Sequence, residues 1–205
     1  MYVPRHNRED DPVTLAAFVR DVGFGVIVST GESVPVEATH VPLRLDTSGD
    51  DWRLELHLAR MNPQQRTLDG AEVLVIVQGP HAYVSATLHD PPESVSTWNY
   101  AAVHLRGTAR VTREPEALRR MVEALTLDYE TEAMLRTPGY EDRLLERIVG
   151  VKIDVTSVEA RFKLSQKETP ETKRNVIAHL EASERPDDRA TAALMASRPL
   201  EKWSG

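Results

Sequence analysis

Two periodicities alternate along the chain. Trp52, Leu54, Leu56 and Leu58 fall two residues apart, with Arg53, Glu55 and His57 between them. That spacing is the pattern of an extended segment with one buried face. Val151, Ile153 and Val155 alternate in the same way with Lys152, Asp154 and Thr156 after Gly150, predicting a last long strand over 151–158. Residues 24–30 and 36–45 read as strands around a Gly31-Glu32-Ser33 turn, and residues 47–51 turn the chain into the Trp52 strand. Residues 73–77 are an unbroken apolar run of mostly β-branched residues, which predicts a strand buried on both faces, as in the wall of a closed barrel. Residues 83–88 and 100–111 continue the sheet. Residues 89–94 lie between them as a loop, because Pro91 and Pro92 remove ladder donors.

The helical period marks four other stretches. Asp11 before Pro12 is a helix start, Leu15, Phe18, Val19 and Val22 form its apolar stripe, and Gly23 ends it. Pro115 opens a helix with Leu118, Met121, Val122, Leu125 and Tyr129 on one face, and 141–149 reads as a second, shorter one. Residues 171–182 form a helix burying Val176, Ile177 and Leu180. Beyond Ser183 the chain is charged and poor in large apolar groups, apart from Leu194, Met195, Leu200 and Trp203. The expected organisation is one domain over 1–183 and a mobile charged tail over 184–205 with a marginal helix. Short strands with helices at their ends predict a mainly β fold, a barrel with flanking helices.

Composition narrows the function. A chain of 205 residues with 40% hydrophobic residues is enough for one sizeable core. The absence of cysteine excludes disulfides, thiolate metal sites and a cysteine nucleophile, and fits a cytoplasmic protein. No segment approaches the ~18 consecutive apolar residues of a membrane span. The first residues, with Arg5, His6, Arg8, Glu9, Asp10 and Asp11, lack the apolar core of a signal peptide. The formal net charge of -7 opposes a polyanion. The two local concentrations of cations, Arg106, Arg110, Arg113, Arg119 and Arg120, and Arg161, Lys163, Lys167, Lys173 and Arg174, read as solvated faces. His40, His57, His81, His89 and His104 show neither His-x-His nor His-Glu-x-x-His spacing, so no metal site is expected. No Gly-x-Ser-x-Gly elbow and no evident general acid or base is present, and no catalytic residue is assigned.

The chemistry concentrates where the Trp52 strand stops. Arg60, Asn62, Gln64 and Gln65 place a guanidinium and amide donors at one turn, a group suited to a phosphate. The competing reading is a polar turn capping a short helix, since Asn-Pro also initiates turns.

Six ordered segments tip that balance. They are residues 1–6 (MYVPRH), 38–43 (ATHVPL), 57–64 (HLARMNPQ), 78–85 (QGPHAYVS), 97–104 (TWNYAAVH) and 162–167 (FKLSQK). Together they resemble the PaiB-type FMN-binding negative transcriptional regulators over roughly residues 1–180. The resemblance implies a six-stranded antiparallel FMN-binding split β-barrel and a homodimer with two flavin sites at the subunit interface. On the matched segments, Arg60, Asn62, Gln65 and His57 would face the FMN phosphate, with Ala59 in the same segment and Lys163, Ser165 and Gln166 as further donors. Backbone groups from Thr39 and His40 to Leu43, with Trp98 and Asn99, would meet the ring. Two departures stand out. The segment after Ser85 reads Ala-Thr-Leu-His-Asp-Pro-Pro, and Gln65 stands where an aromatic is expected, so the ring pocket should be more open. The implied activity is negative transcriptional regulation or flavin-linked sensing, with a small FMN-dependent reductase or oxidase as the alternative. Direct DNA contact has no helix-turn-helix to carry it.

Overall fold

The computed structural model describes residues 1–31, 34–49, 51–89, 95–130 and 140–199. Glu32 and Ser33 of the expected turn, Asp50, the 90–94 part of the expected loop, and Leu200 and Trp203 lie outside the described residues.

Helix α1 (Pro12–Val22) starts where Asp11 accepts the Thr14 backbone N–H at 2.9 Å and its hydroxyl at 2.6 Å. It stops at Gly23, whose φ of 57° is open to glycine and whose N–H returns to the Val19 carbonyl at 3.0 Å. The strands follow as β1 (Phe24–Gly31), β2 (Val34–Pro42), β3 (Arg44–Asp46), β4 (Arg53–Ala59), β5 (Glu72–Val84), β6 (Thr97–Thr112) and β7 (Ile148–Lys163). They form one sheet in the order β2-β1-β5-β6-β7-β4-β3. The pairs β1–β2, β1–β5, β3–β4 and β4–β7 are antiparallel. The expected six-stranded closed barrel is therefore corrected to seven strands in a linear order, with β2 and β3 at its ends.

The extra strand arises at Pro42, which has no N–H for a ladder. The expected 36–45 strand breaks there, the Leu43 N–H bonds to the Gly23 carbonyl at 2.9 Å, and β3 pairs with β4 instead. Strand β5 fuses two segments expected to be separate, running through Gln78, Gly79 and Pro80. It ends at Val84, because Ser85 caps a 3-10 turn over Ala86–Leu88, so residues 85–88 are not strand. Burial along it alternates: Val73, Val75 and Val77 are buried while Leu74 and Ile76 are only half-buried, so the expected burial on both faces does not hold.

Gly150 does not precede the last strand but lies inside it. A side chain there would begin 2.7 Å from Met121 Sδ and 2.8 Å from Thr112 Cγ2, so glycine lets α2 (Pro115–Leu127) pack closely on β7. The 141–149 helix accordingly shortens to α3 (Tyr140–Leu145). On α2, Leu118 and Met121 are buried, Val122 and Leu125 half-buried, and Tyr129 lies exposed past the helix end.

The chain resolves into two compact units. The first comprises Met1–Leu15, Gln78–Val103 and Glu159–Gly205, the second Ala16–Val77 and His104–Val158. The second is cored by Val19, Ile27, Leu54, Val75, Leu105, Val151 and Ile153. In the first, Val84, Ala101, Phe162 and Leu164 of the strand segments are buried, together with Val176 and Leu180 of α4 (Pro170–Glu181). The tail expected over 184–205 with a marginal helix carries α5 (Pro186–Ala196), which contacts α4 and buries Thr191, Ala192 and Met195. Its buried residues are mostly small, which a search for large apolar groups overlooks. Among the described residues no helix is long and apolar enough to cross a membrane.

Candidate functional site

The turn after β4 is built on buried amides. Pro63–Arg66 is a single 3-10 turn capped by Asn62, whose Oδ1 accepts the Gln64 N–H at 3.0 Å. Asn62 Nδ2 donates to Thr39 Oγ1 at 2.9 Å, and that hydroxyl donates to Gln64 Oε1 at 2.5 Å. Gln64 is 1% exposed, and its amide nitrogen reaches Ser29 Oγ at 3.0 Å and the Ile27 and Glu37 carbonyls at 3.3 Å. These contacts fasten the turn to β1 and β2, so β2, at one end of the sheet order, meets the turn that follows β4 near the other.

The remaining residues of this segment divide by direction. Ala59 contributes a carbonyl, which accepts the Asn62 N–H at 2.9 Å. Arg60 is held by its backbone N–H to the Arg147 carbonyl at 2.8 Å, while its exposed guanidinium makes no hydrogen bond or ion pair among the described residues. Gln65 is turned inward: its Nε2 donates to the Arg60 carbonyl at 3.4 Å and its Oε1 accepts from Arg113 at 2.5 Å. His40 is exposed and stacks on Phe24 with ring centroids 6.4 Å apart, pointing to the opposite face of β2 from Thr39. His57 sits opposite Gly150, on the face covered by α2, where burial lowers its pKa below the usual 6.5. It is neutral at pH 7 and touches none of Thr39, Arg60 and Asn62 through a hydrogen bond.

The other named residues belong to the first unit. Lys163, at the end of β7, donates to the Trp98 carbonyl at 2.8 Å and to Thr97 Oγ1, and burial with the nearby Arg161 charge lowers its pKa. Ser165 has φ 62°, unusual for a residue with a side chain, and its Oγ accepts from the fully buried Asn99 at 2.9 Å. Asn99 also contacts Met195 Sδ at 3.3 Å, and its Oδ1 is buried without a donor. Gln166 closes on its own turn, accepting the Leu164 N–H at 2.8 Å and donating to the Phe162 carbonyl. Trp98 is 44% exposed and lies against His81 and Tyr83, with centroids 5.8 and 6.0 Å away. Sequence reasoning passed over His81 and Tyr83 as part of a matched segment. Their alternation with buried Ala82 and Val84 was the signal that both side chains point outward.

The fold defines a class before any family is considered. The chain superposes on the FAD and heme binding protein of Mycobacterium smegmatis with a TM-score of 0.60 and 18% identity, over 77% of this chain and 73% of that one. It superposes equally on the flavocytochrome Anf3 of Azotobacter vinelandii, with a TM-score of 0.62 and 14% identity over 78% and 72% of the two chains. Both likenesses are of fold. Residues 1–157 match the family model described as "Putative FMN-binding domain". The chain is 37% identical, over 95% of its length and 96% of the relative's, to the protease synthase and sporulation protein PAI 2 of Bacillus subtilis strain 168. It therefore belongs to the FMN-binding family of PaiB-type proteins, and FMN is the cofactor this membership supports.

Proposed function

We propose that the protein holds FMN through the turn after β4 and acts as a flavin-linked regulator or sensor, working as a cytoplasmic homodimer. The observation that carries the flavin reading is the pairing of Arg60 and Asn62. The Arg60 guanidinium stands in solvent without a partner among the described residues, and the Asn62 amide is aimed by Thr39 and keeps a second N–H to give. A dianionic phosphate takes such charge-assisted donors, and their aim is set before it arrives. His57 adds no charge at pH 7. When bound, the flavin would supply redox chemistry, while this chain supplies orientation and access. The regulatory part of the reading rests on the resemblance to the PaiB-type regulators, which the 37% identity to the Bacillus relative supports.

The test is a visible spectrum of the purified protein before and after adding FMN and dialysing. Retained flavin absorbance at about one per chain, the stoichiometry of a cofactor site, is the expected outcome. A spectrum that stays flat would overturn the reading. Steady oxidation of NADPH by the loaded protein would replace regulation with reductase chemistry, and a sedimentation run giving a monomer would remove the homodimer.

A further inference from the structure

In the first unit three neighbouring strand segments share one outward face. His81 and Tyr83 stand on β5, Trp98 and Tyr100 on β6, and Arg161 and Lys163 on β7, while the residues between them, Ala82, Asn99 and Phe162, are buried. The contacts place these side chains together. Trp98 touches both β5 rings, Lys163 reaches the Trp98 carbonyl, and the Arg161 guanidinium lies 5.4 Å from the Tyr100 centroid and 5.7 Å from that of Tyr2. Three of the rings are open to solvent, with Tyr2 78%, Tyr83 51% and Trp98 44% exposed. Such ring area facing water is unusual in a chain whose aromatic content is 5%.

The two cations beside the rings make no ion pair among the described residues, and Arg161 Nε is buried without an acceptor. Glu159 holds the N-terminal ammonium at 2.8 Å and Glu168 lies 3.3 Å from His89, its charge also raising the pKa of Lys163, while Asp187 stands 4.0 Å from His81 at the edge of this face. The cations act on one another. After burial, the charges of Lys167 and Arg161 lower the pKa of His6, and Arg161 lowers that of Lys163.

We propose that this face binds a nucleoside phosphate distinct from the flavin, stacking its base on Trp98 and Tyr83 and setting its phosphates against Arg161 and Lys163. Aromatic area alone suits any apolar partner; aromatic area rimmed by unpaired cations suits a planar ring that carries anionic groups. The resemblance sets Trp98 and Lys163 against FMN; here they are assigned to a second ligand, because the turn after β4 already carries a guanidinium and an amide for the flavin phosphate. Binding here requires no flavin.

The experiment is calorimetric titration of the full chain with ADP, adenosine and inorganic phosphate, with and without saturating FMN. One ADP per chain is expected, undiminished by FMN, with adenosine and phosphate each about tenfold weaker or more. Trp98→Ala and Tyr83→Ala should each weaken ADP and adenosine by about tenfold, the scale of one lost stacking contact. Arg161→Gln should weaken ADP by about tenfold and leave adenosine unchanged. If one variant does not fold, the other two carry the test. No saturation by about millimolar ADP, displacement of ADP by FMN, or ADP affinity indifferent to all three substitutions would overturn the proposal. So would binding of single-stranded oligonucleotide in place of ADP, or a dimer that Trp98→Ala turns into monomer while ADP does not bind. An unloaded but ADP-binding protein would sink the flavin reading and leave this one standing.

Discussion

Two turns at strand ends use similar residues to opposite effect. After β4, the amides of Gln64 and Gln65 face inward and brace the backbone, while Arg60 is left facing solvent. After β7, Gln166 bonds to the backbone of its own turn and Ser165 takes the left-handed conformation. The first turn is fastened from beneath and keeps donors to give away; the second satisfies itself. Residue type alone therefore does not make a phosphate site. What matters is whether a separate set of groups has already met the internal demand for hydrogen bonds.

The sharpest way to break that contrast is Gln64→Ala. It strands Ser29 Oγ and two buried carbonyls and leaves a void, so a loss of about 3–5 kcal/mol and a midpoint drop on the order of 10 °C is expected in thermal unfolding followed by circular dichroism. A shift of only a degree or two would show that the turn is not fastened through Gln64. Arg60→Ala should unfold like the parent yet lose about 2 kcal/mol in FMN affinity by calorimetry; unchanged affinity would place the phosphate elsewhere. A pH series tests His57. Its folded pKa lies below the unfolded 6.5, so the unfolded chain binds more protons between the two values. Stability should be full above 6.5 and fall as pH drops through that window towards the folded pKa, by less than about 1.4 kcal/mol per pH unit. His57→Gln should flatten this part of the profile, and an unaltered slope would assign it to another group. The smallest effect is expected at the second turn. Ser165→Gly relieves left-handed strain of about 1 kcal/mol and loses a hydrogen bond of similar worth, giving near-equal stability in urea. A large change in either direction would mean that one of the two contributions is absent.

Much of the fold was legible in the alternation of side chains. The β4 pattern and the Asp11-Pro12 start appear in the structure as read, and the six matched segments pointed to the right family. What escaped was long-range. Gly150 reads as a stop because glycine commonly ends elements, and only the approach of Met121 and Thr112 reveals why it sits within a strand. Helix α5 was read only as marginal, because Thr191 and Ala192 bury little apolar area apiece. At the turn after β4, sequence located the polar cluster but not its direction. Gln64 and Gln65 look alike as letters beside Arg60, and their inward aim depends on Ser29, Thr39 and Arg113, far away along the chain.

The attachment of β2 to the turn after β4 has a dynamic consequence. No ladder of backbone bonds pairs β2 with β4; the join is a clasp made by Gln64, Asn62 and Thr39. A clasp of side chains can open without unravelling a strand, so partial opening here costs less than global unfolding. The outer edge of β2 should exchange its amide hydrogens sooner than the β1–β5 pairing in the interior of the sheet. A ligand gripping Asn62 would slow that exchange at a distance, because Asn62 and the clasp are the same residues.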